Sequence, residues 1–246
     1  METMTTSKSA RAAAERKRAA KQAALAQRKA AARRRRTIWG LGTLAVIAAV
    51  GLWIAISANT GDDDASLGDS NGLAPAPSLA QSRAWDVTIE TNVGTIELSL
   101  DGEAAPQAVA SFVSLANDGF FDGTDCHRLT TAGIYVLQCG DPTGTGTGGP
   151  PYRFGPIENA PGDDFYPAGT LAMARGMDDA SSMGSQFFVV YEDSTIPSDE
   201  AGGYTVFGTV TQGLDIVRSI AEGGTITGDA DGRPALSVIF TKVTAS

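Results

Sequence analysis

The sequence predicts a mainly β domain, a closed or nearly closed barrel with two helices, carried behind a basic tail and a membrane-spanning helix. Three observations carry this. From Ala84 onward short β-type runs alternate with glycine-rich loops, two segments have helical periodicity, and Ile38–Ile56 is a run of nineteen residues without a charge.

The charge is divided along the chain. Met1–Arg36 holds twelve Lys/Arg against Glu2 and Glu15, a net +10, whereas the remaining 210 residues hold seven Lys/Arg and 26 Asp/Glu, a net −19. The overall −9 is therefore a basic tail beside an acidic domain. At about 1.5 Å per residue the uncharged run nearly crosses a hydrocarbon core of about 30 Å. Trp39 and Trp53 lie near its ends, Arg33 to Arg36 abut one side, and Asp62 to Asp64 follow the other. The positive-inside rule then predicts a cytoplasmic tail (1–36), a spanning helix (37–57) and an extracytoplasmic remainder, with the lipid bilayer as a partner. A cleaved signal peptide, with Ala55 and Ser57 at −3 and −1, is the alternative. The long basic region and the length of the run favour a retained anchor. The tail has no apolar face to bury and reads as a solvated segment near anionic headgroups; nucleic acid is not an expected partner.

Residues 58–83, rich in Gly, Asp, Ser, Ala and Pro, read as a flexible acidic linker, and 84–246 as the folded domain. DVTIETNVGTIELSLD alternates polar and apolar residues about Asn92–Gly94, a β-hairpin. In APQAVASFVSLANDGFFDG, Val109, Phe112, Val113 and Leu115 recur at helical spacing and Gly119 ends the helix. The runs CHRL, YVLQC, GTLAMAR, SQFFVVY, YTVFGTV and LSVIFTKV read as strands, with a second helix at LDIVRSIAEG. The loop GTGTGGPP lacks the Lys-Ser/Thr ending of a phosphate loop and reads as an irregular surface segment.

Cys126 to Asp141 holds the only histidine, both cysteines, Arg128 and Gln138. Adjacent strand residues point to opposite faces, so Cys126 and His127 do not readily share a metal ion, and no metal site is expected. One histidine without an evident partner argues against a nucleophile–base pair; it reads as a hydrogen-bonded structural residue. Cys126 and Cys139 form a disulfide across a hairpin turning at Thr130 to Gly133, or stay two buried thiols. Arg128 and Gln138 form a donor set without a nucleophile, suited to holding and polarising an amide.

With these residues stand further motifs: T-x-x-G-x-I-E-L at Thr91–Leu98, AP-x-x-V-x-x-F at Ala105–Phe112, HRL at His127–Leu129 and QCGDPTGTGTGG at Gln138–Gly149. AGTLAMA at Ala168–Ala174, GSQFF at Gly184–Phe188 and YTVFGTV at Tyr204–Val210 follow in order. In this order, over about 160 residues, the chain resembles the cyclophilin family of peptidyl-prolyl cis-trans isomerases, most of all its membrane-anchored actinobacterial members. The resemblance implies an eight-stranded antiparallel closed β-barrel capped by two α-helices, no cofactor, and proline-containing polypeptides outside the membrane as substrates. It places the essential arginine on Arg128, with Gln138 beside it. It puts a proline pocket on Tyr135, Val136, Phe188 and Ile196, and further substrate contacts on Gln186, Ala174, Arg175 and Tyr204.

Several positions depart from the family pattern. YEDSTIPSDEAGGY lacks the tryptophan of many relatives, so weak cyclosporin binding is expected. Tyr204 replaces a histidine, Tyr135 a phenylalanine, Val136 a methionine and Arg175 an asparagine, and two extra residues lie within Thr130 to Ile134. The expected function is isomerisation of X-Pro bonds during folding of exported proteins; the alternative is a non-catalytic proline-peptide-binding chaperone or scaffold. Met173, Met177 and Met183 read as pocket lining or core, and Asp178, Asp179, Asp199 and Glu200 as an acidic rim.

Overall fold

The computed structural model describes residues 72–246; the basic tail, the segment expected to span a membrane and most of the expected linker lie outside the described residues. β1 (Ala84–Thr91) and β2 (Gly94–Asp101) form the first hairpin, in register from Ala84↔Asp101 to Thr91↔Gly94. Their alternation buries Val87, Ile89, Ile96, Leu98 and Leu100 on one face. α1 (Pro106–Asn117) follows, with Pro106 in its first turn. It has no side-chain cap of its own. Instead the Glu158 carboxylate, fifty residues on, accepts from the backbone N–H groups of Gln107 and Ala108, both at 3.0 Å. Gly119, at φ 68°, closes the helix by donating to the Ala116 carbonyl.

The remaining strands are β3 (Arg128–Ala132), β4 (Ile134–Cys139), β5 (Phe165–Tyr166), β6 (Thr170–Met173), β7 (Phe187–Val190), β8 (Ser194–Thr195), β9 (Val206–Gln212), β10 (Asp231–Gly232) and β11 (Phe240–Ala245). α2 (Leu214–Glu222) lies between β9 and β10 and buries only Val217 and Ile220. Nine strands form one antiparallel sheet in the order β10-β3-β4-β7-β6-β9-β2-β1-β11, and β5 pairs with β8 apart from it. This differs from the expected eight-stranded closed barrel. The sheet curls, and its edges are joined by the isolated bridge Asp125↔Ile239 and adjoining backbone bonds rather than by a ladder. The two-residue strands β5, β8 and β10 are too short to show a period in the sequence.

β6 and β7 are buried on both faces, which explains the apolar run FFVV and the run TLAM, apolar after Thr170. One face packs Leu171, Met173, Phe187 and Val189 into the main core with α1, where Phe112 stacks on Phe121 at 4.9 Å. The opposite face carries a separate apolar cluster of Val136, Tyr166, Ala172, Phe188, Val190 and Ile196. Tyr166 of β5 and Ile196, just after β8, cover this side of the sheet, and every member of the cluster is buried.

Two expectations are corrected here. The folded domain begins before Ala84: Pro77–Ala80 is a 3-10 helix, Ala80 is fully buried, and the Trp85 indole donates to its carbonyl at 2.9 Å. The linker is thus shorter than 58–83. The β3–β4 hairpin also turns later than expected, about Gly133 (φ 79°), because pairing continues through Ala132↔Ile134.

Cys126 and Cys139 are joined by a disulfide thirteen residues apart, and both are buried. By loop-closure entropy, removing such a link costs about 3 kcal/mol. The Cys126→Ser/Cys139→Ser double variant is expected to unfold at lower denaturant, with about 2–4 kcal/mol lost. Strong dithiol reductant acting on the wild type should reproduce the loss.

Candidate functional site

The β3–β4 register sets Arg128 directly opposite Gln138, and alternation along β4 carries Gln138, Val136 and Ile134 onto one face. The β4–β7 pairing brings Phe188 beside Gln138, and β6–β7 pairing puts Ala172 beside Phe188. Ile196 and Tyr204 complete the floor, with the Phe188 and Tyr204 rings edge to face at 5.5 Å. The result is a cavity of about 470 Å³, apolar below and polar at the rim, where Gly144 to Gly146 and Asp231 to Arg233 flank Arg128. This size suits a small side chain with part of its backbone.

Arg128 is gripped on two sides. Its Nε and Nη2 donate to the two carboxylate oxygens of Asp231 at 2.8 and 2.7 Å, and Nη1 donates to Gln138 Oε1 at 3.3 Å. The hydrogen bond with Asp231 raises the guanidinium pKa and lowers that of the carboxyl, so both stay charged. Arginine can only donate, so Gln138 must face it with its amide oxygen. That leaves Gln138 Nε2 to donate to Gln186 Oε1 at 2.9 Å, and Gln186 Nε2 to donate to the Gly148 carbonyl at 2.9 Å. The orientation of the whole amide chain follows from the arginine at its end.

The glycine-rich rim is organised by Asp141, which is fully buried. Its carboxylate accepts from the backbone N–H groups of Thr143, Thr145, Gly146 and Gly148 and from the Thr143 hydroxyl. A Cβ at Gly148 would collide with that carboxylate, so glycine is required there. Burial pushes the Asp141 carboxyl up, but the hydrogen bonds from Thr143, Gly148 and Gly146 outweigh it and hold it at about 2.

Arg128, Gln138, Val136, Ala174, Phe188, Ile196 and Tyr204 converge on this cavity, and Gln186 lies behind Gln138 beside an adjoining smaller pocket. One residue stands elsewhere than expected, and two more line the cavity with other contacts than expected. Tyr135 points to the opposite face of β4, against Tyr191 at 5.9 Å, because strand alternation is unbroken; Ile134 takes its place in the pocket. The Arg175 guanidinium lines the cavity only in part: it pairs with both Asp199 oxygens at 2.7 and 2.8 Å, donates to the Gly203 carbonyl, and lies 4.7 Å over the Tyr204 ring. His127 is not hydrogen-bonded by protein groups at either ring nitrogen among the described residues, although it was read as a hydrogen-bonded structural residue. Burial lowers its pKa against the pull of Asp141 and Asp125, so a neutral imidazole lines the pocket near pH 7.

Met173 and Met183 are core and Met177 is 84% exposed, so none lines the cavity. Asp199 belongs to the Arg175 clamp rather than to a free rim. Asp231 and Arg233 went unseen in the sequence, because nothing in a two-residue strand announces which side chain it delivers. Arg175→Ala is expected to free the Asp199–Tyr204 loop and loosen Ile196 and Tyr204. KM for a short proline peptide should rise roughly three- to tenfold with kcat little changed, read by steady-state kinetics.

Residues 86–245 match the family model described as cyclophilin type peptidyl-prolyl cis-trans isomerase/CLD. The chain is 47% identical over 169 residues to the probable peptidyl-prolyl cis-trans isomerase B of Mycobacterium tuberculosis, covering 64% of this chain and 53% of that protein. It therefore spans about half the length of that relative. It is 43% identical over 129 residues to peptidyl-prolyl cis-trans isomerase B of Bacillus subtilis, covering 52% of this chain and 84% of that one. A solved Cryptosporidium parvum cyclophilin type isomerase superposes with TM-score 0.55 at 28% identity, covering 67% of this chain and 98% of that chain. A second structure of that isomerase, solved in the presence of the dipeptide Ala-Pro, gives 0.54 at 28% identity, covering 65% and 98%.

Proposed function

The chain belongs to the cyclophilin type peptidyl-prolyl cis-trans isomerase family, and from that premise we propose that its groove isomerises X-Pro bonds, with Arg128 stabilising the twisted amide over an apolar proline pocket. The observation that carries this is that a guanidinium held by Asp231 and Gln138 lines the same cavity as the apolar Val136–Phe188 floor. The X-Pro barrier is of order 18–20 kcal/mol because amide resonance is lost at the twisted state. Twisting localises a lone pair on the prolyl nitrogen. Of the five N–H donors of Arg128, two are committed to Asp231 and one to Gln138, leaving two for that nitrogen. The planar ground state offers no such acceptor, so the bond strengthens only in the transition state.

Val136, Phe188, Ile196 and Ile134 hold the proline ring while the preceding carbonyl swings. Gln138, occupied at both ends, orients Arg128 rather than gripping the carbonyl. Ala174 presents backbone and Tyr204 its hydroxyl toward the peptide. The reaction needs no cofactor. The presence of Ala-Pro in the related Cryptosporidium parvum structure supports a proline peptide as ligand.

The proposed setting is extracytoplasmic, with residues 37–57 as a membrane anchor of the kind expected for an actinobacterial-like member and exported polypeptides as clients. The Ile38–Ile56 run, its flanking charges and the Cys126–Cys139 disulfide support that placement. Protease-coupled isomerisation of a short Ala-Pro peptide tests the activity: a rate well above the uncatalysed tens to hundreds of seconds is expected, and no acceleration by folded protein would refute it. For the location, protease added to intact cells should remove the isomerase domain and spare residues 1–36.

A further inference from the structure

The structure assigns Asp231 as a positioning residue for Arg128, an inference that rests on the isomerase reading above. Asp231 is on the far side of Arg128 from Gln138, and its two oxygens engage Nε and Nη2 together, the fork geometry that fixes a guanidinium plane. An arginine held by Gln138 alone, at 3.3 Å through one nitrogen, would keep its rotameric freedom about that single contact. Both partners are near the surface, the Arg128 side chain 40% and that of Asp231 55% exposed, so the pair adds little to folding. Its consequence is geometric: Nε and one edge are taken, and the free N–H bonds of Nη1 and Nη2 are left facing the pocket.

Asp231 is itself held without help from Arg128. β10 pairs with β3 at Thr130 and Leu129, and Thr131 N–H donates to the Ala230 carbonyl at 2.8 Å. Two residues on, Arg233 pairs with Asp125, and its Nη2 donates to the Gly144 carbonyl at 2.9 Å. Removing the Asp231 carboxylate therefore leaves β10 in place and releases only the arginine. A freed Arg128 spends part of its time away from the pocket, and the rate scales with the fraction that remains aligned.

The experiment measures kcat and KM for one Ala-Pro peptide with the full chain as wild type, Asp231→Ala, Asp231→Glu, Arg128→Ala and the Asp231→Ala/Arg128→Ala double variant. The Arg128 Nε–H resonance is followed alongside in the variants that keep this arginine. Asp231→Ala is expected to lower kcat roughly tenfold with KM within about twofold. Asp231→Glu should recover part of the loss, and the double variant should be no slower than Arg128→Ala. The Nε–H signal should be sharp in wild type and broadened in Asp231→Ala. An unchanged kcat and a sharp signal in Asp231→Ala, or an equal loss on both backgrounds, would overturn the assignment while leaving an active, Arg128-dependent isomerase intact. A wild type without activity would remove the isomerase reading and this inference with it.

Discussion

Arg128→Ala is expected to lower kcat/KM for a short X-Pro peptide by roughly 10²- to 10³-fold, the loss typical of removing one preorganised donor to a developing charge. The fall should appear in kcat, because the donor meets an acceptor only when the amide is twisted. KM should change much less, since the proposed grip on the proline ring comes from Val136, Ile134, Phe188 and Ile196, which line the cavity independently of Arg128. Arg128→Lys is expected to recover little. A lysine presents a compact ammonium and cannot engage both Asp231 oxygens and Gln138 while keeping two donors free in a fixed plane. Stability should hardly move, because the side chain is 40% exposed.

The second large effect is structural. Asp141→Ala strips the acceptor from four backbone N–H groups and a hydroxyl, and is expected to cost about 3–5 kcal/mol with collapse of the Gly144–Gly149 rim. The pH dependence has a definite sign. The folded Asp141 carboxyl titrates at about 2 against an ordinary 3.8, so the folded state favours its ionised form. The stabilisation is present above about pH 4 and is lost as pH falls toward 2, a contribution of roughly 2–3 kcal/mol at about 1.36 kcal/mol per tenfold. Denaturant midpoints between pH 7 and pH 2 should fall more steeply for wild type than for Asp141→Ala.

The hairpin, the first helix and the apolar strands could be read directly, because each buries a face that imposes its period on the sequence. Arg128 and Gln138 could be recognised as a donor pair because no nucleophile or metal set accompanied them. The pocket floor was partly visible. Phe188 lies on a run buried on both faces and Val136 on a partly buried strand, but the side of β4 facing the cavity depends on a register set at Gly133, and one residue of difference exchanges Tyr135 for Ile134. Arg175 showed its identity but not its direction, since a guanidinium follows whichever carboxylate the fold brings near, here Asp199. Asp231 was beyond reach. Its contact with Arg128 spans 103 residues and depends on a two-residue strand. The Pro77–Ala80 segment reads as linker by composition and is held by packing on α1 and by the Trp85 indole, neither of which its own residues announce.

Catalysis and mere proline binding part most cleanly at equilibrium, where a binder changes populations and a catalyst changes rates. The measurement is exchange NMR on an Ala-Pro peptide with a small fraction of wild-type protein, reading magnetisation transfer between the cis and trans signals. Transfer within milliseconds to seconds, abolished by Arg128→Ala while peptide shifts persist, is the result expected of this groove. Peptide shifts that saturate with wild-type protein, with cis–trans exchange still at the uncatalysed rate of tens to hundreds of seconds, would contradict it and leave the cavity a binding site.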